Sequence, residues 1–148
     1  MSRIRVSAPP RSRRVRLPER RSLVRRARRV LAELGEREAE LSLVLAADPE
    51  MAELNARFRG RTGPTDVLSF SLLEGEGREH RGGLLGDVVI GVEVAARQAR
   101  RAGRCFDDEV ARLLIHGVLH LLGYDHEREA EARLMRVQER RLWRSVAR

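Results

Sequence analysis

Leu23, Val24, Ala27, Val30, Leu31 and Leu34 fall on one stripe of a 3.6-residue period, which predicts a helix over about 19–34, with Gly35 as its stop. Before it, "RIRVSA" alternates apolar and basic residues, the period of a half-buried strand, and "PPRSRR" breaks regular structure. "LSLVLA", residues 41–46, is an apolar run of strand length. "DPEMAELNARFRG" then reads as a helix, with Asp48 as N-cap, Pro49 at the first helical position and Gly60 near the end. A turn-rich loop at 60–65 leads into a strand, "DVLSFSL". A second strand, "LGDVVIGV" at 85–92, follows a polar, glycine-rich loop over 74–83. Three helices close the chain: about 93–102 ended by Gly103, "DDEVARLLIHGVLHLL" ended by Gly123, and a charged amphipathic helix from Glu127 to about Ser145.

The order β, α, β, α, β, β, α, α, α predicts an α/β (α+β) fold. We expect one domain over 1–148 with a mixed sheet of about four strands flanked by about five helices. The strands at 66–72 and 85–92 are expected to pair with each other.

Composition narrows the function classes. With 148 residues, 42% of them hydrophobic, the chain can bury a real core. No apolar run approaches the roughly 20 residues of a membrane span, and we expect no membrane partner. The single Cys105 excludes an internal disulfide and fits a reducing, cytoplasmic setting. The net charge of +8 is carried wholly by arginine, and unevenly. Residues 1–30 hold 12 Arg against one acid, Glu19, whereas residues 31–148 hold 18 Arg against 21 acids. The basic segment resembles an Arg-rich targeting peptide in composition, but reads better as a solvated or nucleic-acid-facing segment.

Chemistry concentrates in "HGVLHLLGYDH", residues 116–126, which holds three of the four histidines. The fourth, His80, lies in the glycine-rich loop. His116 and His120 are one turn apart on one helix face. Gly123 lets the chain reverse, so that His126 can return over them. Three imidazoles with an open fourth position are the usual composition of a catalytic zinc site, and we expect one Zn2+ per chain. Cys105 is too remote in the chain to close the site as a fourth ligand. The spacing H-x-x-x-H-x-x-G-x-x-H also occurs in metzincin proteases, where the residue after the first His is the general base Glu. Here it is Gly117, which can take no proton from water.

These residues resemble the signature of the YbeY family of bacterial endoribonucleases. "LNARFRGRTGPTDVLSF" at 54–70 and "LLGDVVIGVEVAARQA" at 84–99 resemble two further family motifs, in the family's order. The resemblance covers most of residues 41–126. It implies a metal site at His116, His120 and His126, a functional arginine at Arg59, and metal-dependent cleavage of single-stranded RNA in 16S rRNA 3′-end maturation and ribosome quality control. Single-stranded RNA, rRNA and the small ribosomal subunit are the implied partners, with no small-molecule cofactor. Ser71 stands where family members often have Pro, a departure at a strand end.

RNA cleavage builds charge on non-bridging phosphate oxygens, and a guanidinium can stabilise it through two parallel hydrogen bonds. Arg59 follows a helix and precedes a turn, so it is expected at a rim, projecting inward. Asp125 either accepts from an imidazole or caps its own turn; Asp66 and Asp87, at strand starts, are further supporting candidates. The acidic body is no nucleic-acid footprint, but Arg57, Arg59 and Arg61 cluster beside the expected groove. Phe58, Phe70, Phe106, Tyr124 and Trp143 are the entire aromatic set, too few for strong sequence preference by stacking. Two other readings are a non-catalytic zinc-containing ribosome-assembly factor and a zinc hydrolase of peptides or amides; the absence of Glu at 117 speaks against the latter.

Overall fold

A computed structural model describes residues 1–12, 14–73 and 83–147. The elements run β1 (Arg3–Ser7), α1 (Arg20–Glu33), β2 (Ala39–Ala46), α2 (Asp48–Arg59), β3 (Val67–Ser71), β4 (Gly83–Gly91), α3 (Val92–Ala102), α4 (Phe106–Leu121) and α5 (Glu129–Val146). This is the order expected from the periodicities. The expectation of a loop over 74–83, with His80, falls almost wholly outside the described residues.

The four strands form one mixed sheet in the order β1-β2-β4-β3. β1 and β4 both run parallel to β2, and β3 runs antiparallel to β4, so the two consecutive strands do pair. The alternation in β2 assigns the faces. Leu41, Leu43 and Leu45 join the main core with Leu23, Ala27, Val30 and Leu31 of α1, the apolar side of α4, and Met135, Leu142 and Val146 of α5. Val44 and Ala46 point the other way, where Met51 and Leu54 of α2 pack on Leu68, Val89 and Phe70. The sheet is thus covered by α2 on one face and by the remaining bundle on the other. α4 is the central helix, with buried residues on most of its circumference.

The start of α2 departs from the expected cap. Ala47 is the N-cap and gives no side-chain bond, so Asp48 is already helical. Its two jobs are taken by α3: the Asp48 N–H donates to Glu93 Oε1 at 2.8 Å, and its carboxylate accepts a two-pronged pair from Arg97 at 2.9 and 3.2 Å. A tertiary partner has replaced local capping. The helix ends as expected, with Gly60 left-handed at φ 63°.

Two glycines set the sheet against its neighbours. The β2–β4 register slips between Glu40 and Ser42, and Gly86 sits in this bulge at φ 148°, where an added Cβ would lie 2.2 Å from the Phe70 carbonyl oxygen. Gly117 of α4 faces the sheet: a Cβ there would stand 2.5 Å from Val88 Cγ1 and 3.2 Å from Ser69 Oγ. Ser69 and Ser71 of β3 also donate to the Gly117 and Leu121 carbonyls, at 2.9 and 3.3 Å, and lash α4 to the edge strand.

Candidate metal centre

α4 carries His116 and His120 on its solvent-facing side near its C-terminal end, and the turn after Gly123 returns His126 to them. The ring centroids lie 4.7 Å (116–120), 5.2 Å (120–126) and 6.1 Å (116–126) apart. One ligand nitrogen from each falls within 4.8 Å of the others. His116 Nε2 and His120 Nε2 are 3.1 Å apart. Two nitrogens of a tetrahedral zinc at 2.0–2.1 Å each are separated by about 3.3 Å, so this pair already has nearly the spacing a metal requires. His126, exposed on its turn, is the member of the trio with room to adjust.

Glu139 of α5 explains which nitrogen faces inward. Its carboxylate lies 3.2 Å from His116 Nδ1. A carboxylate offers only acceptor sites, so Nδ1–H donates and the Nε2 lone pair is left toward His120. A carboxylate behind a ligating imidazole fixes its orientation and raises its basicity. The sequence offered little signal for Glu139: it lies 23 positions beyond His116, among the many charges of a surface helix. Only its place one turn beyond buried Met135, on the inward side of α5, sets it apart.

Burial pushes the His120 pKa below the ordinary imidazole value, and the neighbouring His116 and His126 push it the same way. Asp125 opposes the shift, and Arg59 adds to it. His120 is therefore held neutral, the form that ligates a metal.

The histidines open onto a cavity of about 680 Å³. It is also lined by Asp66, by β3, the edge strand of the sheet, by Phe58 and Arg59 at the end of α2, and by Arg61 just beyond it. Residues from opposite faces of the sheet thus meet across one edge strand. Phe58 packs edge-on against Phe70 at 5.0 Å between centroids, and the Arg57 guanidinium sits 5.8 Å from the Phe58 ring. Two of the three phenylalanines therefore line the cleft. Among the described residues, no carboxylate pairs with Arg59.

The three aspartates part company. Asp66 lines the cleft; its carboxylate accepts from Gln98 at 3.2 Å, and its carbonyl from the Gly91 N–H at 2.8 Å. Asp125 caps its own turn, accepting the N–H of His126 at 2.6 Å and of Glu127 at 3.3 Å. Asp87 lies within β4, opposite Phe70 of β3 and Ser42 of β2, and is not among the cleft-lining residues. Cys105, exposed, is the N-cap of α4, at the opposite end of that helix from His120.

A family model described as endoribonuclease YbeY matches residues 11–147. An endoribonuclease YbeY of Anaeromyxobacter sp. (strain Fw109-5) is 50% identical over 125 residues, which cover 84% of this chain and 64% of that protein. One of Syntrophotalea carbinolica is 46% identical over 122 residues, 81% of each. The chain thus spans just under two thirds of the Anaeromyxobacter relative's length. The solution structure of TM1509 from Thermotoga maritima superposes with a TM-score of 0.66 at 26% identity, over 97% of this chain and 88% of that one.

Proposed function

Because the chain belongs to the YbeY family, we propose that it is a metal-dependent endoribonuclease that cuts single-stranded RNA, with 16S rRNA 3′-end maturation and ribosome quality control on the small subunit as its setting. The observation that carries this reading is the convergence of three imidazoles and an arginine without a carboxylate partner on one open cleft. His116, His120 and His126 would hold the ion, and zinc suits three neutral imidazoles with an open position. When bound, it supplies Lewis-acid polarisation of a phosphoryl oxygen or activation of a water.

The chain's own residues account for the rest. Arg59 lines the same cleft as the histidines, and its fork would take two non-bridging oxygens and the charge that builds on them. Arg61 adds positive potential at the rim. Phe58 presents an exposed ring for a base to stack on, and with Phe70 it gives the cleft a sequence-tolerant platform. Asp66, tied to Gln98, shapes the wall. Glu139 holds His116, and Asp125 holds the turn that delivers His126. No helix among the described residues is long and apolar enough to cross a membrane, and the single cysteine agrees with a cytoplasmic site of action.

The packing at Gly117 speaks against peptide hydrolysis by a Glu-type base. That position is packed against Val88 and Ser69, and a Cβ there would already stand 2.5 Å from Val88 Cγ1. The test is cleavage of one RNA alone and annealed to its complement, with and without a chelator. We expect metal-dependent cutting of the single strand only. Equal cutting of both forms would overturn single-strand specificity, and no cutting by the metal-loaded protein would leave a non-catalytic assembly factor.

A further inference from the structure

The arginines of the N-terminal third are not spread evenly over the surface. α1 carries six arginines and a single acid, Glu33. It packs antiparallel to α5, with Arg29 Nε donating to Ser145 Oγ at 2.9 Å and Arg141 reaching Glu33 at 3.5 Å. Between the two helices lies a groove of about 410 Å³ lined by Arg25, Arg26, Arg29, Arg144, Ser145 and Val146. Four guanidinium groups meet there. Asp108 takes one of them, Arg26, at 2.9 Å, and Glu33 takes Arg29 at 3.5 Å. Among the described residues, Arg25 and Arg144 have no carboxylate partner, and the buried Nε of Arg26 has no acceptor. Arg21 and Arg140 extend the same two stripes by one turn each, and α5 has no acid after Glu139.

We propose that this α1/α5 groove is a second anchoring site for RNA, holding the phosphate backbone of the substrate away from the metal cleft. The proposal rests on the endoribonuclease reading only for the identity of the polyanion. Guanidinium forks match phosphate oxygens two at a time. A lipid surface would call for exposed apolar side chains beside the arginines, but the only apolar lining residue, Val146, is buried. The location suits a strand that also enters the cleft. Glu139, which touches His116, and Arg144 lie on the same helix, roughly 8 Å apart along its axis and about 140° apart around it, so a strand leaving the cleft reaches the groove by rounding α5. The groove therefore supplies the basic footprint that the mildly acidic remainder of the chain lacks.

The test replaces Arg25, Arg29 and Arg144 together by Gln, which keeps part of each aliphatic stem and removes three charges. Binding of a labelled, unstructured RNA is followed by fluorescence anisotropy over a salt series, with chelator present so that the strand stays intact. The slope of log K against log salt should become shallower by about 2, from roughly 0.7 per lost single-strand phosphate contact, with weaker binding at low salt. Circular dichroism and zinc content should not change, nor should cleavage of a tetranucleotide that fills the cleft alone. A triple variant with the wild-type slope and affinity overturns the proposal, even if cleavage by the wild type is normal. So does one that keeps RNA binding but loses binding to phosphatidylserine vesicles, which would make the groove a membrane contact. Wild-type protein that binds RNA with the expected slope but cuts nothing would sink the nuclease reading and leave the anchor standing.

Discussion

At the scale of single residues, the site divides its labour between groups that face the cleft and groups that stand behind them. Arg59 is neither core nor ligand, so Arg59→Ala should leave fold and metal content intact while cleavage falls by roughly 10²–10³, the loss typical of one preorganised donor. Arg59→Lys should recover only part of this, because a point charge lacks the fork; single-turnover rates at saturating RNA measure it. Glu139 should behave differently. Glu139→Ala should weaken zinc affinity by roughly 10–100-fold, read by competition with a chromogenic chelator. Glu139→Gln, which still offers an acceptor to His116 Nδ1–H, should lose much less. Equal losses in both would leave Glu139 without an orienting role. His120 adds a pH dependence to the metal-free protein. Its folded pKa lies below the ordinary value, so the folded chain resists taking a proton that the unfolded chain accepts. The associated stability is present above about pH 6.5, the unfolded value, and is lost as pH falls through the folded value. Metal-free melts on either side of this window should show the loss, and His120→Asn should reduce it.

At the scale of elements, α4 is placed by how closely it lies on the sheet. Gly117→Ala would add a methyl where Val88 Cγ1 already stands. The overpacking costs about 1–3 kcal/mol against a helix-propensity gain of about 1 kcal/mol, so the melting temperature should drop by a few degrees. Val88→Ala in the same chain should make the added methyl better tolerated, which a double-mutant cycle by thermal melts would register as favourable coupling. This contact also shows where the sequence was legible. The stripe from Leu23 to Leu34 made α1 legible because it buries one regular face, and the apolar run at 41–46 made β2 legible because the sheet is covered on both faces. The histidine spacing was legible because a helix and a glycine turn are local objects. Asp48 reads locally as a cap because its true partners, Glu93 and Arg97, are 45 and 49 residues away. Glu139 gives no local signal for the same reason, since His116 is 23 residues away, and the spatial reason for glycine at 117 appears only when α4 meets β3 and β4.

At the scale of the molecule, the candidate metal centre adds a second tie between α4 and α5, whose buried side chains already share the main core. Its imidazoles come from α4 and from the turn that precedes α5, and Glu139 fastens α5 to the same point. The fold holds the three nitrogens within 4.8 Å of one another, so an ion that binds there favours the folded chain over the unfolded one, where the three must be gathered first. It then acts as a folding ligand by mass action: free metal at about 100 times its dissociation constant adds about 2.7 kcal/mol to stability, and a thousandfold excess about 4 kcal/mol. The melting temperature of this protein should therefore titrate with zinc, rising as the ion is added and falling when chelator removes it, while His120→Ala melts at one temperature throughout. In a cell, metal supply would set not only how fast this chain works but how much of it survives folded.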